Sequence, residues 1–378
     1  MALITYLTKI QFDFGALALA GEELAGLGVA RPLVVTDPGI VACGLLERLR
    51  AALPAAMRET LFDATPANPT EAAVLAALRL YREAGCDGLV ALGGGSSIDL
   101  AKGVALLATQ PEPLARYMAV AGGGERITPD VAPLIAIPTT AGTGSEVGRG
   151  ALITLSDGRK VGFVSPHLIP RVALCDPELT LGLPPALTAA TGMDAVAHCI
   201  ETFLSPRVNP PAEAIALDGL ARAARHIERA VADGADRAAR WEMMMAALEG
   251  GMTFQKGLGA VHAMSHPLGA LRAPVLHHGT LNAVVLPAVL RFNAGHVGDK
   301  YERLRAAMGL PAEADLGAAI EDLNARLGLP ASLRAMGVAP ELIPGLAKAA
   351  VEDHCAATNP RPASAADYEA LYVTAQMD

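Results

Sequence analysis

Length, composition and charge restrict the classes of protein to which this chain can belong. At 378 residues it is too long for one simple core, so two domains are expected. A net charge of −9 without a basic stripe argues against nucleic acid as a partner, and no uninterrupted apolar stretch is long enough to span a bilayer.

The N-terminus and the cysteines indicate the compartment of the protein. Residues 1–14 lack the basic and then apolar order of a signal peptide. The cysteines are scattered, odd in number and without a Cys-x-x-Cys pair, a pattern typical of reduced thiols. We therefore expect a cytoplasmic protein.

The first half of the chain alternates apolar, strand-like runs with helical segments. The expected strands are 32–36, 88–92, 133–137 and 171–175. Residues 70–83 have the apolar spacing of a helix, with Thr70 placed to cap it. Strands separated by helices predict a parallel sheet covered on both faces.

The second half of the chain, from Pro184 onward, is almost wholly helical in pattern, and Pro184 and Pro185 suit a first helical turn that continues over 186–190. The predicted helices are 192–204, 212–232, 235–256, 258–268, 280–294, 298–307, 314–326 and 341–356. Residues 176–183 form the expected boundary. The sequence therefore predicts an α/β domain over 1–180 and an all-α domain over 181–378.

Asp194 and His198 are the first candidate metal ligands. They are four residues apart in an apolar predicted helix, so their side chains leave the same face about one turn apart. His262 and His266 repeat this spacing, and two adjacent histidines follow at 277–278. One carboxylate with two or three imidazoles suits Zn²⁺ or Fe²⁺. An aspartate and a histidine at this spacing are, by themselves, more often joined by an ordinary hydrogen bond. The second cluster, the histidines at 262, 266, 277 and 278, favours the metal interpretation.

A glycine-rich turn, Gly93-Gly94-Gly95-Ser96, follows an expected strand and opens a helix. Glycines permit close backbone approach, and the helix N-terminus offers free N–H groups and the positive end of the dipole. The turn suits a pyrophosphate. Because the motif is not Gly-x-Gly-x-x-Gly, a tight strand–helix turn is the alternative.

A second polar loop, Thr139-Thr140-Ala141-Gly142-Thr143, follows another expected strand. Loops after two parallel strands lie at the same sheet edge, where ligands of open α/β sheets bind, although capping threonines are an alternative interpretation. Asp37 ends an earlier strand at that edge. Its carboxylate would accept hydrogen bonds from an adenosine ribose and repel a 2′-phosphate.

These motifs together resemble the iron-containing, or group III, alcohol dehydrogenases over essentially the whole chain. The stretches that carry the resemblance are Asn68-Pro69-Thr70, Gly93-Gly94-Gly95-Ser96, Pro138 through Thr143, Gly192-Met193-Asp194 and His262 through Gly279. The resemblance implies a dehydroquinate synthase-like fold. In that fold an α/β, Rossmann-like N-terminal domain binds a dinucleotide, and an all-α C-terminal domain binds metal and substrate.

The resemblance also implies a metal site of one carboxylate and three imidazoles, formed by Asp194, His198, His262 and His278. The implied metal is Fe²⁺, with Zn²⁺ and Mn²⁺ as alternatives. His278, rather than His277, matches the family's histidine that precedes a glycine. His266 matches a histidine near the nicotinamide and is the candidate catalytic residue for proton relay.

The implied nicotinamide cofactor is NAD. The residues that match cofactor-contacting positions of the family are Asp37, Asn68, Gly94, Gly95, Ser96, Thr139, Thr140 and Lys160. One departure follows Val147, where many relatives carry a threonine and this chain has Gly148 and Arg149. The arginine faces solvent or binds an acidic substrate.

The activity that the resemblance implies is hydride transfer between nicotinamide and a small alcohol or aldehyde, in a homodimer or larger homo-oligomer. A maleylacetate reductase-like enzyme is the alternative: Arg149 keeps an acidic substrate open, and retention of four ligands argues against it. Dehydroquinate synthase and glycerol dehydrogenase would need other ligand patterns. A metal-dependent hydrolase and a non-catalytic nucleotide-binding module are the rivals from other classes.

Overall fold

The computed structural model describes residue 4 and residues 8–377, which form two compact units. The α/β unit contains residues 8–140 and Ser145–Gly182. The helical unit contains Ala141–Gly144 and residues 183–377. The short segment Ala141–Gly144 therefore belongs to the helical unit, although the α/β unit flanks it in sequence.

The α/β unit is built on a parallel sheet. Its strands are β1 (Lys9–Phe12), β2 (Pro32–Val35), β3 (Thr60–Phe62), β4 (Gly88–Gly93) and β5 (Leu134–Pro138), then the β6 (Gly150–Thr154) and β7 (Lys160–Val164) pair, and β8 (Val172–Cys175). The helices are α1 (Ala20–Gly26), α2 (Pro38–Ala42), α3 (Leu45–Ala52), α4 (Glu71–Glu83) and α5 (Gly95–Thr109). The sheet order is β1-β8-β5-β4-β2-β3, and β6 and β7 form a separate antiparallel hairpin.

The central strands of the parallel sheet are buried on both faces. Every residue of β2, β4 and β5 is buried. Leu89 and Ala91 pack into one core and Val90 and Leu92 into the other, as alternation along a strand requires. The predicted Rossmann-like parallel sheet is thus confirmed, and four of its strands lie within two residues of their predicted positions.

The register of the sheet brings the ends of three strands together. Gly93 at the end of β4 lies opposite Pro138 at the end of β5. On the other side of β4, Thr36 Oγ1 donates a hydrogen bond of 2.7 Å to Leu92 O. The turns that follow β2, β4 and β5 therefore start side by side at the carboxyl edge.

The helical unit confirms the predicted all-α half. Its α-helices are α6 (Pro185–Leu204), α7 (Pro210–Ala232), α8 (Arg237–Met252), α9 (Ala260–Gly269), α10 (His278–Asn293), α11 (Lys300–Met308), α12 (Leu316–Arg326), α13 (Ile343–Glu352) and α14 (Ala365–Gln376). Helix α6 packs against α7, α8 and α10, and every residue from Thr188 to Leu204 is buried. Within the described residues, no helix is both long and apolar enough to cross a membrane.

Several elements differ from the sequence prediction. The predicted helical segment 184–190 and the predicted helix 192–204 form one continuous helix, α6, which runs through Gly192 because burial on all sides outweighs the low helix propensity of glycine. Helix α14 was not predicted, although Ser364 and Asp367 form the capping box that opens it. Strand β3 and the β6–β7 hairpin were also missed, since runs of three to five residues show little periodicity.

Candidate active site

One face of α6 carries Asp194, His198 and Glu201. Their spacing places them on successive turns, and their exposed fractions are 2%, 3% and 4%. Glu201 was not predicted as a site residue, although it lies three residues after His198. Burial raises the pKa of Glu201 to about 7, against backbone hydrogen bonds that lower it, including one of 2.7 Å from Val261 N. The face therefore presents two carboxyl groups and an imidazole to the interior of the unit.

Two other helices bring further imidazoles to this face. His262 on α9 stacks on His198, with ring centres 4.8 Å apart. His278 opens α10, which approaches α6 closely because the next residue is Gly279. A Cβ at Gly279 would lie 2.1 Å from Ala190 O, so any side chain there would push the start of α10 away from α6.

The donor atoms of these residues converge on Asp194 Oδ1. This oxygen lies 3.5 Å from His198 Nε2, 3.9 Å from His262 Nε2 and 3.7 Å from His278 Nε2. The donor atoms of Asp194, His262 and His278 lie within 4.8 Å of one another, and His198 adjoins this group through Asp194. We call these four residues the donor set.

Hydrogen bonds on the far side of two rings determine which nitrogen faces the donor set. His198 Nδ1 lies 3.2 Å from Gly142 O, which can only accept, and His262 Nδ1 lies 2.5 Å from Glu201 Oε2. When Nδ1 donates, Nε2 keeps its lone pair for a metal ion. Burial, together with neighbouring His198, lowers the pKa of His262 well below its usual value, which favours the neutral ring.

The donor set fits a divalent transition-metal ion. Bonds of about 2.0–2.2 Å at tetrahedral angles place ligand atoms roughly 3.3–3.6 Å apart. The separations around Asp194 Oδ1, 3.5–3.9 Å, are within a few tenths of an ångström of that range. Three imidazoles and one carboxylate suit Fe²⁺ or Zn²⁺, whereas Ca²⁺ and Mg²⁺ prefer oxygen ligands.

Asn282 contacts three members of the donor set and was not predicted from the sequence. Its Nδ2 donates a hydrogen bond of 2.7 Å to Asp194 Oδ1 and lies 3.2 Å from His262 Nε2 and 3.1 Å from His278 Nε2. It follows His278 by four residues on α10, and this spacing was the available signal. Its amide holds the Asp194 carboxylate in place beside the histidines.

His266 lies beside the donor set. Its ring centre is 5.7 Å from that of His262 and 5.6 Å from that of His278. Its Nδ1 lies 2.8 Å from an oxygen of Asp353, the residue that follows α13 and that the sequence did not single out. His277, in contrast, is exposed at the residue preceding α10.

In the α/β unit, the glycine-rich turn lies at the carboxyl edge of the sheet. Gly93 has a φ of +154°, and a Cβ there would lie 2.6 Å from Ser97 Oγ, so only glycine fits. A Cβ on Gly94 would lie 3.4 Å from Thr140 Oγ1. Helix α5 begins at Gly95 without a side-chain cap, so its first N–H groups can serve a phosphate.

The remaining predicted cofactor residues surround this turn. Thr139 N donates to Gly93 O at 3.1 Å, and Ser96 Oγ donates to Ala67 O at 2.6 Å. Next to Ala67, Asn68 Oδ1 accepts a 2.9 Å hydrogen bond from Lys160 Nζ.

Asp37 joins the glycine-rich turn from β2. Its Oδ1 accepts hydrogen bonds from Gly39 N at 2.9 Å and Ile40 N at 3.2 Å, which caps α2. Its Oδ2 lies 3.5 Å from the Cβ position of Gly93. The structure thus brings the eight predicted cofactor residues into one neighbourhood of the α/β unit.

A buried lysine holds the loop before β6 and was not predicted from the sequence as a functional residue. Lys102 Nζ donates hydrogen bonds to Ser145 Oγ, Gly148 O and Gly150 O at 2.7–2.9 Å, and Ser145 Oγ donates to Asp99 Oδ1 at 2.6 Å. Burial lowers the pKa of Lys102 to about 8, with Asp99 and Glu146 opposing the shift. The loop, which includes half-buried Arg149, is therefore tied to α5.

Comparison with known proteins places both units in one family. Residues 8–177 match the family described as "Iron-containing alcohol dehydrogenase", and residues 188–376 match "Fe-containing alcohol dehydrogenase family, C-terminal". The 4-hydroxybutyrate dehydrogenase of Cupriavidus necator is 59% identical over 98% of this chain and 99% of its own length.

Two solved structures have the same fold. A crystal structure of 1,3-propanediol oxidoreductase has a TM-score of 0.92 and 36% identity, covering 99% of this chain and 100% of its own. Sulfoacetaldehyde reductase from Bifidobacterium kashiwanohense, in complex with NAD⁺, has a TM-score of 0.88 and 28% identity, covering 99% and 98%.

Proposed function

Because the chain belongs to the iron-containing alcohol dehydrogenase family, we propose that it oxidises the terminal alcohol of 4-hydroxybutyrate with NAD⁺. The chain is an oxidoreductase that acts on CH–OH groups, and its family uses NAD and iron or another divalent metal. The maleylacetate reductase-like alternative is not favoured, because the relatives are alcohol-type dehydrogenases.

The substrate is proposed from one observation, the 59% identity to a 4-hydroxybutyrate dehydrogenase over nearly the full length of both chains. In the proposed reaction the C4 alcohol loses a hydride to NAD⁺ and a proton to solvent. The products are the C4 aldehyde, NADH and H⁺. The carboxylate at C1 takes no part in the chemistry and serves recognition.

We propose that the metal ion is held by Asp194, His198, His262 and His278. When bound, the ion supplies Lewis-acid stabilisation of negative charge on the substrate oxygen. Gly142 O and Glu201 orient two of the imidazoles, with Nδ1 contacts of 3.2 Å and 2.5 Å. His266, whose ring lies beside two of these histidines, is proposed to accept the alcohol proton.

The α/β unit is proposed to bind NAD at its carboxyl edge. The start of α5 would hold the pyrophosphate, and Asp37 would accept hydrogen bonds from the adenosine ribose. The other proposed cofactor contacts are Asn68, Gly94, Gly95, Ser96, Thr139, Thr140 and Lys160.

The domain boundary, the cellular compartment and the oligomeric state are also proposed. We propose a dinucleotide-binding domain over 1–180 and a metal- and substrate-binding domain over 181–378. The free thiols of all five cysteines favour the cytoplasm. A homodimer or larger homo-oligomer is proposed from the resemblance to the family.

The test compares substrates that differ only in the carboxylate. NADH formation is followed by absorbance on metal-analysed protein with 4-hydroxybutyrate, butan-1-ol or 1,3-propanediol. We expect the highest kcat/KM for 4-hydroxybutyrate. A kcat/KM for butan-1-ol equal to or higher than that for 4-hydroxybutyrate would disprove the proposed substrate but not the alcohol dehydrogenase activity. If no alcohol gave NADH, the proposed oxidation reaction itself would be disproved.

A further inference from the structure

We propose that Asp353 is the positioning residue that holds His266 in the tautomer with its hydrogen on Nδ1 and a lone pair on Nε2. The two residues come from different parts of the helical unit, 87 positions apart. His266 Nδ1 lies 2.8 Å from Asp353 Oδ2, and the exposed fractions of the two side chains are 1% and 9%. The pair is therefore shielded from water, which strengthens the hydrogen bond.

The second oxygen of Asp353 has its own partner. Oδ1 accepts a hydrogen bond of 2.8 Å from Cys355 N. Burial alone would raise the pKa of Asp353, but charge interaction and hydrogen bonding with His266 outweigh it, so the net pKa is lowered. An ionised carboxylate only accepts hydrogen bonds, so Nδ1 of His266 has to be the donor.

The other nitrogen of His266 is the one that the chemistry needs. Nε2 is buried and has no hydrogen-bond partner within the part of the chain that the structure describes. The ring packs parallel to that of His278 at 5.6 Å, with an angle of 15°. An imidazole held in this way presents Nε2 as an acceptor beside the donor set, where a substrate hydroxyl would lose its proton.

The contacts among these residues fit a hydrogen-bonded pair better than a second metal site. His266, Asp353, His354 and Cys355 bring four possible donors within 4.8 Å of one another. However, His354 directs Nδ1 to Asp353 at 3.5 Å and Nε2 to Cys355 Sγ at 3.5 Å, so no single nitrogen faces both. The 2.8 Å separation of His266 and Asp353 is also a hydrogen-bond distance, shorter than ligand pairs around an ion.

The informative variant is Asp353→Asn. Because Cys355 N needs an acceptor, the amide oxygen should stay on that N–H and the NH₂ group should face His266 Nδ1. Nδ1 would then accept, and the hydrogen would move to Nε2, which removes the lone pair. A buried triad aspartate changed to asparagine lowers kcat by about 10⁴ for this reason, and a fall of roughly 10²–10⁴ is expected here.

The decisive measurement is the tautomer, read from ¹H–¹⁵N correlation spectra of the histidine rings in Zn²⁺-loaded protein, with His266→Gln to assign the signal. We expect Nδ1–H on His266 in the parent and Nε2–H in Asp353→Asn. Glu352→Gln, which removes the same charge from the exposed preceding residue, should change neither tautomer nor kcat.

The inference rests on the proposed role of His266, and its failure is distinguishable from failure of the proposed function. Nε2–H on His266 in the parent overturns it, whatever the turnover and whether or not the variant folds. A switched tautomer with unchanged kcat also overturns it, while 4-hydroxybutyrate oxidation by the parent leaves the proposed function intact.

Discussion

Asn282 Nδ2 and Asp194 Oδ1 are joined by a hydrogen bond of 2.7 Å between α10 and α6 at the centre of the donor set. The same amide nitrogen lies 3.1–3.2 Å from two imidazole nitrogens. A single side chain thus orients the carboxylate around which the histidines gather.

Removing this amide should weaken metal binding. Residues that orient ligands typically contribute about 10–100-fold to metal affinity, so Asn282→Ala should raise the dissociation constant by roughly that factor. Competition with a chromophoric chelator measures it. Asn324→Ala, which removes another buried amide that donates to Ala283 O at 2.8 Å, is the control and should keep the parent affinity. Equal metal affinity in both variants would contradict the role of Asn282.

His198→Ala tests the donor set itself. The variant loses one imidazole of the four proposed ligands, so metal content and activity should fall together. Elemental analysis and the NADH assay follow the two quantities. His296→Ala changes an exposed histidine of the same unit and should alter neither. Full metal content with normal turnover in His198→Ala would disprove the assignment.

His266→Ala should separate chemistry from metal binding. The ring lies beside the donor set but outside it, so the variant should keep its metal. A positioned general acid–base contributes roughly 10²–10⁴-fold, and kcat should fall by about that factor. If steady-state kinetics show only a higher KM for NAD⁺ with an unchanged kcat, His266 merely packs near the cofactor.

Asp37 should discriminate between NAD and NADP. Asp37→Asn keeps the oxygen that caps α2 but removes the charge that would repel a 2′-phosphate, and Asp37→Gly removes both. Like-charge contacts cost several kcal/mol, so the ratio of kcat/KM for NADP⁺ over NAD⁺ should rise by at least about tenfold in both variants. Asp63→Asn, just after β3, is the control. A parent enzyme that prefers NADP⁺ would refute the prediction.

Lys102 should be a major contributor to the stability of the α/β unit. Lys102→Met leaves the buried acceptors of three hydrogen bonds without their donor. Breaking a buried charge network of this kind costs about 3–5 kcal/mol, which denaturant unfolding would detect. Lys348→Met, on the exposed face of α13, should cost far less.

The stability lost in Lys102→Met should also depend on pH. The pKa of Lys102 is lowered to about 8 from an ordinary value of 10.5, because burial disfavours the charge. Between these two pKa values the unfolded chain binds the proton and the folded chain does not. The contribution of Lys102 to the free energy of unfolding therefore rises with pH, and it is lost as pH falls through about 8. The stability difference between parent and Lys102→Met should therefore grow from pH 8 to pH 10.

The sequence by itself determined the elements whose cause is local. β2, β4, β5 and β8 are continuous apolar runs, and such runs bury on both faces of a parallel sheet wherever they occur. The four-residue spacing of Asp194 and His198 likewise needs only a helix to place both on one face. The motifs along the chain were sufficient to identify the family, which the comparisons confirm.

Only the tertiary structure decided which side chains meet. Glu201 and His262 are 61 residues apart, and Asp194 and Asn282 are 88 apart, so no local periodicity could pair them. His277 and His278 are adjacent in sequence, but the close approach of Gly279 to Ala190 brings His278 to the donor set while His277 stays exposed. Periodicity states which face of a helix a residue occupies; the packing of α6, α9 and α10 determines what that face touches.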